Sequence, residues 1–245
     1  MPEIPRLFTV PPSTPGSGSI SSPPLRPGQQ PTTAIEPRWP AILAVLVMGG
    51  LLMALPNRFR LVPVGVDAAF MLVGVLPILA VALTGGARRS LTWERKLVSA
   101  FLIASMAMES ANLFKLVMTL LFGGDQLGAR ELLASGLALW VSNVILFAVA
   151  YWHGDQGGPE LRRQEHAPQA DWHFPQQDLP EAGGDSWRPG FLDYLFLAYC
   201  NATAFSPTGA VPLRGRAMVL MMAESAVSLI TLAVIAARAI NILDN

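Results

Sequence analysis

The chain has 245 residues, of which 52% are hydrophobic and 14% charged, with a formal net charge of zero and a mean hydropathy of +0.43. This balance gives no basic surface for a nucleic-acid partner and, with the apolar residues gathered in blocks, points to a membrane protein. One cysteine, Cys200, excludes an internal disulfide or a cysteine metal cluster and is expected as a small buried residue, with a redox thiol as the alternative.

Residues 1–37 are dense in Pro, Ser, Gly and Thr and predict a disordered arm without the basic start and apolar core of a secretory signal. Four apolar blocks follow, at 39–55, 61–84, 97–122 and 132–152. Each approaches or exceeds the roughly 20 residues that cross a hydrocarbon core about 30 Å thick. Together they predict a four-helix transmembrane region over 38–152. The first block is the shortest; Arg38 and Trp39 anchor one end, and Arg58 and Arg60 flank the other.

Between the second and third blocks, residues 85–96 carry Arg88, Arg89, Arg95 and Lys96 against the single acid Glu94. The positive-inside rule makes this connection cytoplasmic, and the arm with it. In the third block Ser105, Glu109, Asn112, Lys115 and Thr119 recur at three- and four-residue spacing, so they form one polar arc that must face protein or water. Asn112 is placed to bridge Glu109 and Lys115. The arc is read as a buried hydrogen-bond network, with an ion or proton pathway and a partner-subunit contact as alternatives.

Residues 153–189 form a polar loop, expected to be ordered by Trp172, Phe174 and Trp187 near the membrane surface. Counting spans from a cytoplasmic arm puts this loop in the cytoplasm too. His153, His166 and His173 fall in or beside it at spacings that match no metal motif, and they are expected to be solvated or packed.

Residues 190–245 read as a pore-like hairpin. A short apolar stretch at 191–205, FLDYLFLAYCNATAF, leads into the irregular tail SPTGAVPLRGR and then a span-length helix. Asp193 is placed to cap the short helix, while Asn201 and Thr203 end it and tie down loop backbone. On the last helix Glu224, Ser228 and Thr231 lie at i, i+4 and i+7, the stripe that an inner helix turns to a pore. Candidate partners for Glu224 are Asn143, Lys115 and the backbone around Thr203 to Thr208; Arg238 is expected at the interface.

That order, with Asp193-Tyr194-Leu195, Asn201-Ala202-Thr203, Arg216, Glu224 and Arg238, resembles the pore helix, filter and inner helix of two-helix potassium channels. The four apolar blocks and the last helix, with the half-helix that the likeness implies, predict an all-α membrane protein of about five transmembrane helices plus a re-entrant half-helix. The likeness stops at the filter T-V-G-Y-G-D. With Thr203 on the filter threonine, Phe205 and Pro207 take the glycine positions, and proline has fixed φ and no N–H. Phe205, Ser206, Pro207 and Thr208 therefore form a degenerate, pore-like loop. The segment ATAFSPT and the ending ARAINIL also resemble an uncharacterised family of bacterial integral membrane proteins, which implies a multi-pass protein of the cell membrane, surrounded by the lipid bilayer, with a homo-oligomer as an option.

Ser206 has no nucleophile elbow around it and no glycine-rich phosphate loop precedes a helix, so neither enzyme chemistry nor a cofactor is expected. Three functions follow: an ion channel of low selectivity; a non-conducting scaffold or accessory protein; and, third, a transporter or membrane enzyme using Glu109, Lys115 and Glu224.

Overall fold

The computed structural model describes residues 36–57, 59–84, 88–122, 129–162, 164, 167–182, 187–204 and 209–243. Residues 1–35 of the expected arm lie outside these, as do the loop residues Phe205, Ser206, Pro207 and Thr208. Glu36, at the end of the expected arm, is described and buried.

Six α-helices carry the fold: α1 (Trp39–Ala54), α2 (Val64–Thr84), α3 (Arg88–Phe122), α4 (Ala129–Gly154), α5 (Phe191–Ala202) and α6 (Gly215–Leu243). Four of them, α2, α3, α4 and α6, are long and apolar enough to cross a membrane; α1, with 16 residues, is apolar but shorter. At 1.5 Å per residue α1 extends about 24 Å and the 12-residue α5 about 18 Å. The apolar blocks and the helices differ at their edges. Pro63 lets α2 begin at Val64 rather than at residue 61, because a proline suits the entry to a helix. α3 begins at Arg88, nine residues before its apolar block, so most of the basic 85–96 connection is helix. From Arg88 to Lys96 no glycine or proline interrupts the chain, and hydropathy marks only the apolar part of a helix, not its start.

At the centre stands α4, which packs against α1, α3, α5 and α6. Every residue from 142 to 153 is buried, and 67% of its apolar window is enclosed, against 17% for α6. A helix apolar on all faces belongs in the middle of a bundle. On its flank, α2 lies close to α3 because Gly74 has no side chain: a Cβ there would meet the Phe101 ring at 2.6 Å.

One end of the bundle gathers the start of α1, α3, α5 and α6 and the end of α4. Arg38 pairs with Glu94 of α3 and with Glu160. The Nε2 of His153, at the end of α4, lies 3.2 Å from Ser99 Oγ. The Tyr194 hydroxyl of α5 donates to Asp155 Oδ2 at 2.5 Å, and Arg216 of α6 grips Asp171 through two hydrogen bonds of 2.5 Å. The polar loop closes over this end. Its strand β1 (Trp172–His173) pairs antiparallel with β2 (Val211–Pro212), with Trp172 opposite Pro212 and His173 opposite Val211. Trp172 lies 4.8 Å from the Tyr151 ring, and Phe174 lies 5.6 Å from Trp187 and 5.5 Å from Tyr194. This short ladder is the one departure from an all-helical fold among the described residues.

Candidate functional site

The stripe on α6 is buried against the chain's own helices. Glu224, Ser228 and Thr231 are 0%, 1% and 1% exposed, enclosed within one chain. Glu224 Oε2 accepts the Tyr151 hydroxyl of α4 at 2.5 Å and the Asn201 side-chain amide of α5 at 2.7 Å. Asn201 also donates to the Met221 carbonyl at 2.9 Å, and Ser225 Oγ donates back to the Asn201 carbonyl at 3.4 Å. One turn further along α6, the Asn143 amide donates to the Glu224 carbonyl and to Ser228 Oγ, both at 3.3 Å. Thr231 bonds its own helix at Val227 O, 2.8 Å away. The carboxyl group thus sits where the last turn of the half-length helix meets the two long helices.

Among the expected partners of Glu224, Asn143 reaches its backbone while Lys115 goes elsewhere. Tyr151 was hidden in the sequence, because a tyrosine near the end of an apolar block reads as an interfacial anchor. Thr203 turns back on α5 and donates to Tyr199 O at 2.8 Å, and Ala204 follows with φ of +54°. The side chain of Asp193 accepts the Gly190 N–H at 2.8 Å, the helix-start role expected for it.

The arc on α3 has a different use. Asn112 does not bridge Glu109 and Lys115; its Oδ1 accepts the Leu61 N–H at 3.0 Å, and Lys115 Nζ donates to the Arg60 carbonyl at 2.5 Å. Arg60 in turn caps the end of α1 through the Met53 and Leu55 carbonyls and lies 3.6 Å from Asp67. The arc therefore fastens the α1–α2 connection into the bundle. Thr119 bonds the Lys115 carbonyl at 2.7 Å. Glu109 is buried with Oε1 lacking a partner, as is Ser105 Oγ. Ser105 lines a cavity of about 20 Å³ with Asp67, Phe70 and Met71.

A second polar cluster ties the loop to the bundle end. Arg162, fully enclosed, donates to Glu36 Oε2 at 3.3 Å, Pro189 O at 3.1 Å and Trp152 O at 2.5 Å, and its guanidinium stands 4.7 Å over the Tyr194 ring. Glu36 also accepts the Trp152 indole N–H at 2.7 Å. Asp155 Oδ1 takes the Asp171 N–H at 2.7 Å, so Asp155 links α5 to the residue that grips α6. Burial pushes the Arg38 guanidinium down from its usual value, with Glu94 and Glu36 opposing the shift. Arg162 carried no sequence signal for this role, since its partners Glu36 and Pro189 lie 126 and 27 residues away.

His153 is buried, and His173 pairs with Asp178 at 2.8 Å; His166 lies outside the described residues, as does the side chain of Arg238. Among the described residues no group of three or more His, Cys, Asp or Glu side chains is placed to hold a metal ion, and Cys200 is buried with a free thiol. No protein family, curated protein or solved structure matches the chain.

Proposed function

We propose that the chain is a multi-pass protein of the cell membrane, with five crossings, whose residues 191–205 enter as a re-entrant half-helix and return to the side they came from. Its role is that of a non-conducting scaffold or accessory protein without enzyme chemistry. Support for the hairpin comes from its two flanks: Tyr194 near the start of α5 and Arg216 near the start of α6 are both tied to the Asp155–Asp171 cluster beside the end of α4. A segment that crossed the bilayer would begin α6 at the opposite end. The basic residues 88–96 lie at this same end, which makes it the cytoplasmic one.

The observation that carries the non-conducting role is the enclosure of Glu224, Ser228 and Thr231. An α6 that lined a pore would present these polar groups to water; here Glu224 and Ser228 bond to α4 and α5, and Thr231 bonds its own helix. The half-helix, loop and long helix in succession favour a second reading, a channel of low selectivity resembling two-helix potassium channels. A hairpin fold carries no guarantee of conduction. Purified protein in liposomes with separate potassium and sodium gradients tests the choice. A scaffold passes neither ion; flux of both at similar rates favours the channel. Strong potassium selectivity would contradict both readings, because Phe205 and Pro207 stand where a filter needs glycine.

A further inference from the structure

Glu224 is fully enclosed, and its surroundings do not balance its charge. An ionised carboxylate offers about four acceptor positions. Here Oε2 takes two neutral donors, Tyr151 and Asn201, while Oε1 is buried with no partner. The donors come with a further negative end. Asn201 belongs to the last turn of α5, whose final carbonyls carry the helix's partial negative charge, so the carboxylate is bonded to a residue of that terminus.

Among the described residues no side-chain cation offsets them, and Glu224 has no ion pair. Lys115 of α3 is directed to the Arg60 carbonyl, Arg216 of α6 to Asp171, and His153 of α4 to Ser99 and the Arg95 carbonyl. The remaining ionisable side chains described on the packed elements are Glu94, Arg95, Lys96 and Glu109 of α3, Arg130 and Glu131 of α4, and Asp193, Tyr194, Tyr199 and Cys200 of α5. None of these bonds to Glu224. Asn143 adds a second acceptor without a donor, its buried Oδ1 on the same seam. An isolated negative charge in a buried interior is among the costliest arrangements a fold can hold, and more so within a bilayer.

We infer that Glu224 is a cation-accepting site: its unpartnered oxygen carries a bound positive charge, either a proton or a dehydrated monovalent cation, at the point where the half-helix ends. With a proton, an O–H bond forms on Oε1 at the expense of solvent, and Oε2 keeps its two donors. A monovalent cation is held instead by Oε1 and neutral oxygens of the seam. Either way the bound charge stabilises the carboxyl group that holds Asn201, so occupancy is coupled to the anchoring of the hairpin. This charge balance is independent of whether the chain conducts.

The full chain in nanodiscs of uncharged lipid, with its glutamate carboxyl groups isotopically labelled, tests the site on two arms. Infrared absorption at neutral pH reports protonation: the labelled carbonyl band of a neutral glutamic acid is expected in the wild type and is lost, for this group, in Glu224→Gln. Melting in sodium, potassium and choline chloride at equal ionic strength reports a bound metal cation. Occupancy raises the wild-type midpoint over choline by about 4 °C or more and leaves Glu224→Gln unmoved. Should Glu224→Gln fail to fold, both arms are run on Glu109→Gln, which removes the other buried glutamate without an ion pair among the described residues and leaves the remaining neutral-acid signal to Glu224. A proton gives the band, a metal cation gives the salt response, and either supports the site. A wild type without the band and with one midpoint in all three salts has an ionised, unoccupied Glu224 and overturns it.

Discussion

Two helices of this protein carry polar residues at the same spacing, and the chain uses them for opposite ends. On α3, Asn112 and Lys115 reach backbone groups of the α1–α2 connection, so the arc holds a loop in place from outside the helical core. On α6, Glu224 and its neighbours reach side chains of α4 and α5 and hold a half-length helix in the core itself. Spacing of three and four residues fixes the direction in which a side chain points, because both sets lie on one face of their helix. It says nothing of what waits there. A loop offers carbonyls and N–H groups, which a lysine and an asparagine satisfy singly; a helix end offers an amide and a hydroxyl that converge on one carboxyl oxygen.

The largest expected effect separates the two glutamates. Glu224→Leu leaves the Asn201 amide and the Tyr151 hydroxyl without their acceptor in a buried place, and it is expected to destabilise the protein by about 2–4 kcal/mol in denaturation from detergent micelles. Glu109→Leu removes a carboxyl group with an unpartnered oxygen and costs at most about 1 kcal/mol, or stabilises. Equal losses at the two positions would erase the distinction between seam and arc. Next in size is Asn112→Leu, which deprives the Leu61 N–H of its acceptor. A loss of about 1 kcal/mol is expected, together with faster hydrogen exchange confined to residues 55–63. Exchange spreading to α5 instead would mean that the arc supports the core directly.

Smallest is a gain. Ala204 has φ of +54°, a left-handed conformation that costs an L-residue with a side chain roughly 1–2 kcal/mol. Ala204→Gly removes that strain while making the unfolded chain more flexible, so a net gain of about 0.5–1 kcal/mol is expected in the same denaturation. A loss would mean that the turn after α5 tolerates alanine without strain.

Several of these features were legible in the residues and others were not. Block hydropathy found the long helices because each has to satisfy its backbone internally and bury an apolar surface. It misplaced the start of α3, because Arg88 to Lys96 form helix without being apolar. Asp193 was readable as a cap, since its partner lies three residues away. By contrast, Tyr151 and Glu224 are 73 residues apart, Asp171 and Arg216 are 45, and Arg162 and Glu36 are 126. No local pattern announces such pairs, and they appear only once α4 has brought α5 and α6 together. Spacing puts Glu224, Ser228 and Thr231 on one face of α6, and the burial of that face is what spacing had no means to supply.

Topology gives the most direct test of the proposed hairpin. Cysteine is introduced singly at Ser90, at the start of α3, at Gln169, in the exposed part of the polar loop, and after Asn245, and intact cells are treated with an impermeant thiol reagent. The native Cys200 is buried and adds little background. A re-entrant α5 predicts that positions 90 and 169 are both protected while the C-terminal cysteine is labelled. Labelling of Ser90 and the C-terminus from the same side would mean that residues 191–212 cross the membrane, and it would contradict the hairpin.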